Sequence, residues 1–383
     1  MKYPITIITV ASILFVLLAS CANRESGMDK SPEEIIINID DKNGALLNVS
    51  IKDVIPLETS QNSLIGYASQ VKYFNHRFYL IDKNRFQKPT FFVFDEKGKF
   101  VWKTIQGKGP GEVIEPYAFA INEEDSVILL HDQALSAINT YDLNGNFIYS
   151  KKHPNVFIKD FYHINRDTFL VYNCATSPNP SPKGKTQFLT YTLFTNSFTK
   201  EKHFDILLSN NKVSMDLFTP VFINRDEILF VAPWNYNIYH LVGDKERIRY
   251  HLSFGKYNFS STELATLSSD ELREQINQGS KVGSLYSIFK TNHFLVFIVE
   301  YNRKLITFFQ SIKNKKIYSL NDCIDSGLIP FCFNWGIKND STFYGLVEPE
   351  QLVQFQKSSD QFKELDINDN DNPYIIIFSV SEL

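Results

Sequence analysis

Short apolar runs without polar alternation recur along the chain, each followed by a second run and a polar turn. Phe78–Asp82 is followed by Thr90–Asp95, then Glu96-Lys97-Gly98, then Lys99–Trp102. The same order returns as Val127–Asp132, Ile138–Asp142, Leu143-Asn144-Gly145 and Asn146–Tyr149. Asp95 and Asp142 lie 47 positions apart, and so do Gly98 and Gly145. A continuous apolar run of this length predicts a strand covered on both faces. The Asp-x-x-Gly step predicts a hairpin in which Asp caps the turn and Gly takes a positive φ. Periods of 40 to 50 residues built from such strands are the signature of a β-propeller.

The pattern loosens afterwards but continues. Thr168–Tyr172 is followed by Leu189–Phe194, Glu227–Val231 by Asn237–Leu241, His293–Val299 by Leu305–Phe309, and Thr342–Val347 by Tyr374–Phe378. Six units result, so residues 34–383 read as an all-β, six-bladed propeller. Ile35–Ile39 and Leu46–Leu57 precede the first full unit and are expected to supply a strand to the last blade, closing the ring and removing its free edges. Two segments interrupt. Thr176–Gly184 is Pro-rich and reads as a loop that cannot join a ladder. Residues 260–279 read as a helical insert, because Ser260 with Glu263 and Ser268 with Glu271 each fit a capping box and Gly279 can end the segment. Leu264, Leu267, Leu272 and Ile276 would form its apolar face.

The N-terminus has a different character. Lys2 precedes an uncharged run from Ile5 to Ala19, too short to span a bilayer comfortably but suited to a signal peptide covering residues 1–20. It ends in Leu18-Ala19-Ser20-Cys21, which resembles the lipobox of bacterial lipoproteins. That resemblance implies lipidation of Cys21, a flexible tether over residues 21–33 and a palmitate-type membrane anchor; two or three acyl chains hold firmly where one is marginal. Ala22 offers no inner-membrane retention signal, so the expected location is the cell envelope, at the outer membrane, with the leaflet open.

Composition narrows the function classes. Phe and Tyr number 33 and 19, which favours strands. Lys plus Arg total 39 against 43 Asp plus Glu, so no electrostatic footprint for nucleic acid exists. Besides Cys21 there are Cys174, Cys323 and Cys332, an odd count that excludes a complete disulfide framework. Cys323 and Cys332 read as free buried thiols, with pairing across a loop as the alternative.

Gln106-Gly-Lys-Gly-Pro-Gly-Glu112 carries a further resemblance. Together with Ile55–Glu58, Leu64–Gly66, Asn237–Tyr239, Ser253–Gly255 and Asp371–Pro373, it is similar to the six-bladed β-propeller lipoproteins of Bacteroidota-type genomes, over roughly residues 45–383. The resemblance implies fold and export rather than a chemistry. It also implies an aromatic after the Gly-Pro-Gly-Glu stretch; Val113 stands there, and Tyr117 is read as that aromatic displaced.

Candidate chemistry is sparse. Gly107, Gly109, Pro110, Gly111 and Glu112 read as a tight interblade crossing with Glu112 as a hydrogen-bonding strut; an anion nest is the alternative, although no P-loop Lys-Ser/Thr follows. The eight His residues form no H-x-H or H-E-x-x-H pair, and no G-x-S-x-G elbow occurs. Glu112, Asp132 and Glu300 are the channel carboxylates that a lactonase-type metal site would use, but nothing in the sequence selects them. Asp366–Asn372 lacks the Gly and Glu of a calcium loop. No metal or other cofactor is therefore expected. Trp234, Tyr236, Trp335 and Tyr117 lie near strand ends, where a propeller face binds ligands; core packing is their plainer role. The expected function is a membrane-anchored protein whose propeller binds a glycan, a peptide or an envelope partner. The alternatives are a metal-dependent hydrolase or lactonase with its site in the channel, and an envelope-complex subunit using the rim and the helical insert.

Overall fold

The computed structural model describes residues 31–40, 47–83, 88–153, 158–165, 168–173, 178–180, 186–188, 191–195, 201–204, 219–224, 227–243, 245–358 and 362–382. The signal segment, Cys21, Cys174 and parts of the Pro-rich stretch lie outside them. The chain folds as an all-β propeller. Among the described residues, five four-stranded antiparallel sheets and one five-stranded sheet follow one another along it. Four of the regular sheets are built on the strands Ala68–Phe74 to Phe100–Lys103, Pro116–Asn122 to Phe147–Lys152, Asp160–Asn165 to Glu201–Phe204, and Leu285–Lys290 to Ile317–Ser319. The fifth regular sheet, last in the chain, orders Phe333–Asn339, Thr342–Val347 and Tyr374–Ser381 beside the early strand Asn48–Pro56.

The fourth sheet in chain order, Val221–Ile223 to Lys245–Ser253, departs from the four-strand pattern because Glu33–Ile36 adds to its outer edge. The expectation that both early stretches join the last blade is thus half corrected. Asn48–Pro56 pairs antiparallel with Tyr374–Ser381, whereas Glu33–Ile36 covers the edge strand Lys245–Ser253, where the Ile37 amide donates to Ser253 O at 2.8 Å. An edge strand leaves unpaired N–H and C=O groups, and a second N-terminal segment satisfies them.

The apolar runs are covered on both faces, and alternate side chains serve opposite neighbours. Phe78, Leu80, Phe92 and Phe94 pack with Tyr344, Leu346, Ile375 and Ile377 of the last sheet. Tyr79, Ile81, Phe91 and Val93, one position away in each strand, pack with Phe119, Ile128 and Leu130 of the second sheet. The two Asp-x-x-Gly turns are built alike. Asp95 Oδ1 accepts from Lys97 N at 2.9 Å and Lys99 N at 2.8 Å, and Asp142 Oδ1 accepts from Asn144 N at 2.8 Å and Asn146 N at 2.9 Å. Gly98 and Gly145 sit at φ 78° and 87°. Each turn rests on the preceding sheet. Gly98 O accepts from Glu58 N, and Leu143 O accepts from Trp102 Nε1 at 3.1 Å while Asn144 Oδ1 accepts from Arg77 Nη2 at 3.2 Å.

Among the described residues four α-helices decorate the sheets: α1 (Ser261–Thr266), α2 (Ser269–Asn277), α3 (Leu320–Asp325) and α4 (Pro349–Ser358). The first two make up the expected insert, each with its complete capping box, and Leu272 and Ile276 are buried. The other two were not foreseen. Pro349 followed by Glu350 is a helix-opening signal within an otherwise strand-like unit. The Pro-rich stretch corrects another expectation. Pro178–Pro180 pairs antiparallel with Thr186–Phe188 in a two-stranded ribbon. Prolines two residues apart miss their N–H groups on the same side, which a ribbon can turn to its free edge.

Candidate functional site

The crossing between the first and second sheets, residues 104–115, closes on itself. Glu112 Oε2 accepts from Gly109 N at 2.7 Å, and a Cβ on Gly107 would lie 1.9 Å from the same oxygen. The carboxylate of Glu112 therefore fills the space that the glycines leave, where an external anion would otherwise sit. Gly111, at φ 77°, presses against Phe147, and Tyr141 donates its hydroxyl to Gly111 O at 3.2 Å. Val113 is fully buried between the first and second sheets. Tyr117 does not take its place: it packs toward the second and third sheets instead. A bulge causes this, since His131 pairs with Ala118 but Asp132 with Pro116.

The other singled-out acids are likewise engaged by groups of the chain. Asp132 accepts from Ile114 N at 2.8 Å and Leu135 N at 3.1 Å, and Glu300 from the Tyr286 hydroxyl at 2.7 Å. Among the described residues no three His, Cys, Asp or Glu side chains converge as a metal site requires. Cys323 and Cys332 are free and buried, and burial pushes both thiols up from their ordinary pKa.

The four aromatics serve different places. Tyr236 is buried; its hydroxyl donates to Val282 O at 2.7 Å and accepts from Phe259 N at 3.0 Å. Trp234 meets Phe259 edge to face with centroids 6.4 Å apart, and its amide donates to Ser284 Oγ. Tyr117 carries Lys83 Nζ over its ring at 3.7 Å. Trp335 lines a cavity of about 270 Å³ at the seam between the fifth sheet and the last.

This cavity lies where α3 and residues 326–332 cross from one sheet to the next. Ile298, Leu305 and Thr307 of the fifth sheet form one wall, and Phe333 and Trp335 another. Its volume stands near the lower end of small-molecule sites, about 300 Å³. Tyr67 and Phe331 line it while 56% and 40% exposed, so aromatic rings mark the opening. The indole of Trp335 is fixed: Nε1 donates to Cys332 O at 2.9 Å, and the ring meets Phe378 edge-on at 4.9 Å. The lining amides are held too. Asn321 accepts from Thr307 N and donates to Leu305 O, and Asn334 donates to Ala68 O. Glu348 is different. Among the described residues no hydrogen bond or ion pair reaches its carboxyl group, and burial, with Glu350 nearby, raises its pKa.

Sequence reasoning missed this site because its lining comes from segments as distant as Tyr67, Thr219 and Glu348. It also missed His131 and His153, 22 positions apart, whose rings stand 5.0 Å apart in the second sheet.

Comparison with known proteins places this geometry on a familiar scaffold. A Bacteroides fragilis protein named as exported superposes with a TM-score of 0.69 at 14% identity, covering 92% of this chain and 100% of its own. A member of the DUF4221 family from Bacteroides vulgatus gives 0.53 at 9% identity, covering 88% and 99%. At these identities the likeness is one of fold. No curated protein matches the chain. The family model described as a domain of unknown function, DUF4934, matches residues 36–379, and the chain belongs to that family.

Proposed function

We propose that this chain is an exported lipoprotein, anchored at the outer membrane through Cys21, whose propeller binds a small ligand in the cavity between its fifth and last sheets. The observation that carries the binding reading is the fixed indole of Trp335 in a cavity whose opening exposes Tyr67 and Phe331. An aromatic wall held in place before binding loses little freedom when a ligand packs on it. In this reading the five regular sheets and the five-stranded sheet count as the six blades of the ring. The anchor rests on the lipobox-like Leu18–Cys21 and the preceding apolar run. Glu112, Asp132 and Glu300 each accept hydrogen bonds from groups close by in the chain, so no observation favours the channel-hydrolase alternative.

A thermal-shift screen of small aromatic and saccharide compounds on the full-length protein tests the site. Ligands that stabilise the wild type should lose that effect in Trp335→Ala, and an unchanged shift would place binding elsewhere. Substituting Cys21 by Ala should move the protein from the membrane pellet to the soluble fraction; retention in the pellet would remove the anchor.

A further inference from the structure

The chemistry of the cavity wall narrows the ligand class, and this inference rests on the binding reading above. A saccharide site needs free donors and acceptors around its aromatic ring. Here the Trp335 N–H is spent on Cys332 O, the Asn321 amide is used at both ends, and Ser287 Oγ accepts from Thr219 N at 3.2 Å. What remains for a ligand is the rings of Trp335, Phe331 and Tyr67, the hydroxyl groups of Thr219, Thr307 and Tyr67, and the carboxyl group of Glu348, the one Asp, Glu, Lys, Arg or His side chain among the described lining residues. No Lys, Arg or His is among the described lining residues, so nothing there balances that acid. Aromatic faces attract cations through their quadrupole, the more so when partly shielded from water. A half-buried carboxylate with no partner also gains most from a ligand that supplies a charged donor.

We infer that the cavity takes a small organic amine, an alkylammonium group on an apolar or aromatic body, with the ammonium at Glu348 and the body on Trp335. An anionic ligand would meet the acid without any compensating base. A neutral one would leave the acid unpaired.

Isothermal titration of the full-length protein with phenethylammonium, 2-phenylethanol and phenylacetate at neutral pH separates these cases, since the three share a body and differ in charge. Phenethylammonium should bind at least tenfold more tightly than 2-phenylethanol, and phenylacetate should bind weakest. Glu348→Gln should erase the preference for the cation while leaving 2-phenylethanol affinity within twofold. Trp335→Ala should weaken all three, and Phe331→Ala, at the opening, provides a second variant that leaves the acid in place. Equal affinity for the cation and the neutral compound, or a cation preference that survives Glu348→Gln, overturns the amine assignment but leaves the cavity as a binding site. Binding that Trp335→Ala does not change, or no binding by any of the three, overturns both.

Discussion

Two crossings carry the chain from the outermost strand of one sheet to the innermost strand of the next, residues 104–115 from the first sheet to the second and residues 320–332 from the fifth to the last. The first is filled. Its acid, Glu112, is consumed by Gly109 N, and Trp102 from the first sheet presses on Gly145 from the second. Close by, Lys72 donates to Phe119 O at 2.7 Å and lies 5.2 Å over the Tyr162 ring, tying together the innermost strands of three sheets. The second crossing is open. A short helix replaces the glycine loop, Gly327 has nothing within 4 Å of its would-be Cβ, and a cavity of about 270 Å³ remains beside an acid with no partner among the described residues. Ring closure thus needs tight crossings at some seams and tolerates a void at another. A void in a well-packed protein costs stability, and a ligand can offset that cost.

The seam where the chain ends meet extends this contrast and gives the largest expected effect. Asn372, fully buried, accepts from Ile65 N at 2.8 Å and donates to Glu58 O at 2.8 Å and Ser63 O at 2.7 Å. Asn372→Ala strands these backbone groups and should cost about 4 kcal/mol, at roughly 1–3 kcal/mol for each buried group left unsatisfied. Denaturant unfolding measures it; a loss below about 1 kcal/mol would show that strand pairing alone closes the ring.

A matched pair of glycines tests the packing difference directly. Both hold positive φ, but a Cβ on Gly145 would lie 2.7 Å from the Trp102 ring. Gly145→Ala should cost about 3 kcal/mol, backbone strain plus overpacking, and Gly327→Ala about 1 kcal/mol, strain alone. Equal losses would erase the distinction between the filled and open crossings.

The acids form a second pair. Glu112→Ala removes the acceptor of the half-buried Gly109 amide and should cost about 1 kcal/mol. Glu348→Gln removes an acid without a partner and should change stability by no more than about 0.5 kcal/mol in either direction. A large loss in Glu348→Gln would mean that its carboxyl group supports the fold, and would argue against its availability to a ligand.

A smaller effect, read as pH dependence, probes the filled half. Burial, reinforced by His153 and Lys83, lowers the pKa of His131 to about 3. The unfolded chain takes up a proton near pH 6.5 that the folded chain refuses until about pH 3. Stability from this group is therefore complete above about pH 6.5 and falls as pH drops toward 3, by about 1.4 kcal/mol per unit. Lowering pH from 6.5 to 5.5 should cost the wild type more than His131→Asn, by about 1 kcal/mol; identical slopes would contradict the neutral buried state.

How far the sequence reached follows the same division. The filled half was legible because its determinants are local and repeated: Asp95 and Gly98 write the same turn as Asp142 and Gly145, and Ser260 and Ser268 carry their caps within three residues. The pieces that resemble the Bacteroidota-type propellers also find a physical link, since Asn372 bonds Glu58 and Ile65 from 307 to 314 positions away. The open half was not legible. Trp335 could be named as a candidate, but its separation from Tyr236 and Tyr117 depends on strand register and on a bulge at Tyr117, which no window of sequence displays. Glu348 gave no signal, because an unpartnered acid is defined by what surrounds it in space.

The most direct test of the account is a crystal structure of the protein soaked with phenethylammonium. The ligand should lie between the Trp335 face and the Glu348 carboxyl group, with its nitrogen within hydrogen-bond distance of the acid. A seam closed by repacked side chains, or a ligand bound at the filled crossing near Gly107–Glu112, would contradict it.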